Sequence, residues 1–241
     1  MTQTAIITRF AEKGPDGTGL AEWDRIDPAN LVSGQPVQRG HIYHQDEAAG
    51  YLVGVWDCTP QTEKMGPYAV DEFMLLLEGE LVMGLPDGSE ITIKAGQAFV
   101  IPKGFECQWR QTGYLRKFFM ILDGPVPQAA DNPSLHRIVV PDLKIVPDIG
   151  QGTVAVERTD FINADGSMRV GVSRWTAAQI PARKIAEHQL IHVLSGRLVL
   201  AAEGRDETFE CGQTAYIRQG GKVGWQTEAD TCLLWSSYAQ D

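Results

Sequence analysis

Glu72 and Lys117 are the acid–base candidates of this 241-residue chain, with Tyr68, Cys107, Trp56 and Trp109 as the groups that would surround a ligand. They stand out because the chain repeats itself and the copies differ at these positions. Tyr68 matches Ile185, Glu72 matches Gln189, Cys107 matches Val223 and Lys117 matches Leu233. Reactive groups in the first copy thus face inert ones in the second. A carboxylate and an ammonium pointing together into an apolar interior perturb each other's protonation, which is how sites obtain a usable acid or base. The same pair also serves as a buried ion pair tying two strands together. Trp56 and Trp109 offer aromatic walls for a planar or cationic ligand, or simply fill a core. No histidine adjacent in sequence lowers the pKa of Cys107, so it reads as a lining group rather than a nucleophile.

The elements that must position these residues are strands. Short runs rich in Val, Ile, Leu, Phe and Tyr, each closed by Gly, Pro, Asp or Asn, recur without a sustained period of 3.6 residues, which predicts an all-β chain. Examples are Tyr51 to Trp56, Phe73 to Leu77, Glu80 to Gly84, Glu90 to Ile93, Ala98 to Ile101 and Arg116 to Leu122, with Pro86-Asp87-Gly88 as a hairpin turn. Val53 to Val170 and Gly79 to Gly196 are each 117 residues apart; Gly96 to Gly212, Gly104 to Gly220 and Trp109 to Trp225 are each 116. One hairpin has therefore lost a residue, and a repeat this long is a duplicated domain. The expected organisation is an N-terminal arm plus first barrel over 1–124, a Pro- and Gly-containing linker over 125–145 and a second barrel over 146–241. The arm, Met1 to about Gly50, is expected to wrap the first domain and to serve as a lid.

Composition narrows the function classes. The formal net charge is −10, from 21 Lys plus Arg against 31 Asp plus Glu, which disfavours a nucleic-acid partner. No apolar run approaches the roughly 20 residues of a membrane helix, and the opening residues carry no apolar segment of signal-peptide length. A cytoplasmic protein with no membrane partner is expected. Cys58, Cys107, Cys211 and Cys232 form no CxxC pair and read as free thiols.

The frame Glu72 to Gly79, followed by Gly96, Pro102 and Gly104, resembles the paired motifs of the cupin superfamily and implies two tandem double-stranded β-helix (jelly-roll) barrels. The wording Asp71-Glu72-Phe73 through Leu77-Glu78-Gly79-Glu80, Gly96 through Phe105, Trp109 and Arg116-Lys117-Phe118 resembles the ureidoglycine aminohydrolase type of cupin domain. The second copy has Arg218 where the first has Pro102. The resemblance implies a divalent ion held by two histidines, a glutamate and a third histidine. Here Glu72 fills the glutamate position, Gly66 or Pro67 and Tyr68 stand at the first histidine positions, and Cys107 stands at the last. The second copy offers Gln189, Ile185 and Val223. No metal and no cofactor are expected in either barrel.

His41 and His44 would supply ligands only if the arm folded over the barrel mouth. Members of the aminohydrolase family hold a metal in their second cupin, but counting back from Gly196 makes Gln189 the inward residue. His188 and His192 then face the other way, toward sheet packing or a subunit contact. The reading is a first barrel that binds a small polar metabolite, with metal-independent acid–base chemistry, and a second barrel kept as a structural copy. The alternatives are a non-catalytic ligand-binding or regulatory bicupin and, from the resemblance, a metal-dependent aminohydrolase of nitrogen metabolism. A homodimer is expected because outward apolar residues such as Phe73 and Leu75 need cover.

Overall fold

The computed structural model describes residues 5–128 and 132–239. Every strand pairing is antiparallel, and the only helical turns among the described residues are the 3-10 segments Pro15–Gly17, Pro28–Asn30 and Pro133–His136. The all-β expectation is met, and each strand read from the sequence falls within an observed one.

The chain divides into two compact units. One comprises Ala11–Pro141 with Asn163–Asp165 and carries the first barrel. Its main sheet runs in the order Ala98–Ile101, Asp71–Glu78, Leu115–Leu122, Tyr51–Cys58, Gln38–Asp46, Ala21–Glu22. The opposing sheet runs Glu90–Lys94, Glu80–Gly84, Glu106–Gln111, Gln61–Glu63, Leu31–Gly34. Between them Met74, Leu76, Leu81, Met83, Ile93, Phe99 and Phe119 form a closed apolar core. The other unit repeats the order: Thr214–Ile217, His188–Ser195, Thr231–Tyr238, Met168–Trp175, Ala155–Ile162, opposed by Ala178–Lys184, Lys222–Thr227, Arg197–Ala202, Arg205–Glu210.

The repeated residues have physical reasons. A Cβ on Gly54 would lie 2.4 Å from the His41 carbonyl and 2.7 Å from the Phe119 ring. On Gly171 it would lie 2.1 Å from the Arg158 carbonyl and 2.7 Å from the Trp235 ring, so both Val-Gly-Val segments need the glycine for an aromatic side chain to cross the sheet. The shortened hairpin closes through Glu203-Gly204, both at positive φ (51° and 75°), a turn whose twist matches that of its strands.

Three expectations are corrected. Ile7–Phe10 of the expected arm does not wrap the first barrel, and Met1 to Thr4 lie outside the described residues. Ile7–Phe10 pairs with Thr214–Ile217 and so belongs to the second unit, while Ala21–Asp46 supplies strands to both sheets of the first rather than a lid. Much of the expected linker is part of the first unit: Leu135, Ile138 and Val139 are buried, and Val139 bridges Val100. Ala129, Ala130 and Asp131, also assigned to the linker, lie outside the described residues. Phe73 and Leu75 are 2% and 3% exposed in the single chain, so they give no reason for a second subunit.

The Pro102 to Arg218 difference follows from the first correction. Arg218 N–H donates to the Ile6 carbonyl at 2.9 Å, a bond that proline cannot make. Among the described residues no helix is long and apolar enough to cross a membrane.

Candidate functional site

Lys117 stands opposite Leu76 and Glu72 opposite Ile121 on the adjacent strands Asp71–Glu78 and Leu115–Leu122. Both side chains therefore point into the barrel, and the lysine stem runs past Met74 to meet the carboxylate. A register shift between Arg116 and Lys117 marks a bulge that re-aims the lysine. Lys117 Nζ lies 2.8 Å from Glu72 Oε1 and 3.1 Å from Met74 Sδ. It also sits 4.8 Å from the Trp56 ring centroid and 4.9 Å from that of Trp109. The two indoles meet edge-to-face at 6.1 Å. Each is fixed by its own hydrogen bond, Trp56 Nε1 to Gln38 at 3.0 Å and Trp109 Nε1 to Gln111 at 3.1 Å. The ammonium is thus enclosed by one carboxylate and two aromatic faces, an arrangement in which a desolvated cation gains about 2 kcal/mol or more per aromatic contact.

Tyr68 completes the group. Its N–H donates to the Phe105 carbonyl at 2.9 Å and its carbonyl accepts from Gly104 N–H at 2.7 Å, so the Pro102-Lys103-Gly104-Phe105 turn holds it in place. Its hydroxyl donates to Glu72 Oε2. Burial and the neighbouring Glu72 push its ionisation well above the usual 10, which keeps that proton on the tyrosine.

Tyr68, Cys107 and Trp109, together with Glu63 and Met83, line a cavity of about 470 Å³. Glu72, Lys117 and Trp56 are not part of this lining. Of the six predicted residues, five form one connected cluster, and Cys107 joins it across the cavity wall. The expected direct contact of Glu72 and Lys117 with a ligand is corrected: both are buried behind Tyr68 and Trp109. Burial pushes the Cys107 thiol up to about 12, with Glu63 and Glu106 adding to the effect. It remains a thiol, not a nucleophilic thiolate.

Glu63 was not legible as a site residue, because nothing in the sequence announces its short strand, Gln61–Glu63. Burial raises its carboxyl; Lys117 pulls it down and Glu72 pushes it further up. Gln61 Nε2 donates to its Oε1 at 3.2 Å.

The donor set does not fit the divalent ion that the motif resemblance implies. Both oxygens of Glu72 are engaged, and the Lys117 ammonium already supplies positive charge beside them. His41 and His44 lie on the strand Gln38–Asp46, against Tyr43 and Tyr51, away from Glu72. In the second barrel Gln189 lines the interior. His188 stacks between Tyr216 and Tyr238, and His192 bonds Thr214 at 2.8 Å on the opposite face. No group of three or more His, Cys, Asp or Glu among the described residues has the geometry to hold a metal ion.

Both units have the fold of a cupin barrel. The family model described as "EutQ-like cupin domain" matches residues 46–119. No curated protein matches the chain. Among solved structures, a protein of unknown function from Pseudomonas syringae pv. tomato is 18% identical, with a TM-score of 0.74 over 96% of this chain and 98% of that one. The protein Ylba from E. coli is 12% identical, with a TM-score of 0.60 over 100% and 94%. A salicylate 1,2-dioxygenase from Pseudoaminobacter salicylatoxidans, in complex with gentisate, is 12% identical, with a TM-score of 0.53 over 79% and 69%. At these identities the likeness is one of fold, and chemistry has to be argued from the site.

Proposed function

We propose that the first barrel binds a small polar molecule rich in N–H or O–H donors in the cavity beside Tyr68. The observation that carries this reading is the double position of the Tyr68 side chain, which lines the cavity while its proton is committed to Glu72. The wall therefore turns acceptors toward a ligand, the phenolic oxygen and the Glu63 carboxyl oxygens, against the apolar sides of Met83 and Trp109. Lys117 and Glu72 are positioning residues here: they fix the tyrosine rotor and set the charge behind it.

Acid–base chemistry in this arrangement runs through Tyr68. A proton leaving the ligand at the phenolic oxygen is matched by the phenolic proton passing to Glu72, with the Lys117 ammonium balancing the charge left on the ligand. A purely ligand-binding role is favoured by the complete pairing of Glu72, which keeps the charged pair off the cavity wall and leaves Glu63 as the carboxyl group there. The metal-dependent aminohydrolase reading finds no support in the donor set.

The test is titration of the full chain with acetamide, methylguanidinium and acetate, followed at the indole N–H resonance of Trp109. The two donor-bearing probes are expected to shift it saturably and acetate is not. Tyr68→Phe and Glu63→Gln should each weaken binding about tenfold, or about 1.4 kcal/mol. Acetate binding as tightly as the donors, or indifference to both substitutions, overturns the proposal.

A further inference from the structure

The second barrel differs from the first in which interior groups lack partners. Trp225 occupies the position of Trp109, but the partner position Gln111 has become Thr227, whose hydroxyl donates to the Thr176 carbonyl at 2.8 Å. Trp225 Nε1 is left buried with no hydrogen-bond partner among the described residues. Trp235, at the position of Phe119, carries a second indole N–H in the same condition. Gln189 Oε1, at the Glu72 position, and Ser237 Oγ, at the Ile121 position, complete the set.

All four residues line one cavity of about 120 Å³. Ser173 and Leu233 line it too, standing where Trp56 and Lys117 fill the first barrel. The walls are fixed: Trp175 stacks on Trp225 at 5.6 Å and 19°, and donates to Ser173 Oγ at 3.0 Å.

A buried polar group without a partner costs about 1–3 kcal/mol, and native interiors carry few of them. Four on the walls of one cavity form a recognition surface. An indole N–H only donates, and the Gln189 oxygen only accepts. The complementary molecule offers two acceptors and one donor, and the Ser237 hydroxyl meets either kind of group. A cavity of about 150 Å³ accommodates benzene, so the molecule has about four to seven heavy atoms. We infer that the interior of the second barrel is a binding site for a short hydroxycarboxylate. Its carboxylate oxygens accept from the Trp225 and Trp235 indoles, and its hydroxyl donates to Gln189.

The test uses the full chain labelled with nitrogen-15, with glycolate, acetate and ethylene glycol as probes and each indole resonance assigned by a Trp→Phe variant. Glycolate is expected to shift the Trp225 and Trp235 N–H resonances saturably and leave those of Trp56 and Trp109 in place. Gln189→Leu should weaken glycolate about tenfold, toward the affinity for acetate. Ser173→Trp, which returns the first barrel's indole to the cavity, should abolish the shift while the first-barrel resonances report an intact fold. Absence of a saturable shift up to about 10 mM glycolate, a range that captures millimolar binding, overturns the assignment. So does ethylene glycol binding as tightly as glycolate.

Discussion

The two barrels share a backbone and solve the problem of their interiors in opposite ways. In the first, the space between the sheets is filled by Trp56, Trp109 and the Lys117 stem, and every charge there has a partner. In the second, the same positions hold Ser173, Trp225 and Leu233, and the interior keeps both room and unpaired polar atoms. The charged pair is lost as a unit, Glu72 with Lys117 giving way to Gln189 with Leu233, so neither barrel buries a lone charge at these positions. One copy is consolidated around an ion pair with a cavity beside it, and the other holds a cavity within.

The largest difference in stability is expected on removing one member of the Glu72–Lys117 pair. Lys117→Leu alone leaves Glu72 buried with only Tyr68 and should destabilise the first barrel by about 3–5 kcal/mol, whereas adding Glu72→Gln should restore most of the loss. Denaturant unfolding followed by tryptophan fluorescence checks this; equal stability of the single and double variants would break the comparison. A smaller effect separates the two frame tryptophans. Trp109→Phe strands Gln111 Oε1 and should cost about 1–3 kcal/mol, while Trp225→Phe deletes a donor that has no protein partner and should cost less. Thermal unfolding of the two variants side by side reads the difference.

The smallest concerns pH. Burial lowers the His192 imidazole from its ordinary 6.5 to about 4. The unfolded chain therefore takes up the proton first, so this contribution to stability is complete above about pH 6.5 and is lost as pH falls toward 4. His192→Asn should flatten that slope in a pH series of unfolding midpoints.

Much of the architecture was legible because it is written in strand alternation and in glycines that the backbone demands, Gly54 with Gly171 and Gly79 with Gly196. The candidate site was legible in part, because comparing the copies isolates Tyr68, Glu72, Cys107 and Lys117. What comparison could not supply was depth. Nothing in the pairing of Glu72 with Gln189 says that Tyr68 stands between the carboxylate and the cavity. Nor could residue type reveal the second barrel's interior: Trp225 reads as a frame residue shared with Trp109, and its orphaned N–H follows from Thr227 turning its hydroxyl to Thr176. The misplaced opening segment has a similar cause, since a four-residue strand carries no mark of which sheet edge it will join.

That segment sets an order of events for the growing chain. Ile7 lies opposite Ile217 in the finished sheet, so a strand made before the first barrel joins an edge made after it. Domains emerging from synthesis fold as units, N-terminal first. Residues Ile7–Phe10 therefore wait through the synthesis of an entire barrel to which they do not belong. Contacts of such sequence separation are slow to form, and closing this edge is expected to be the late step of folding.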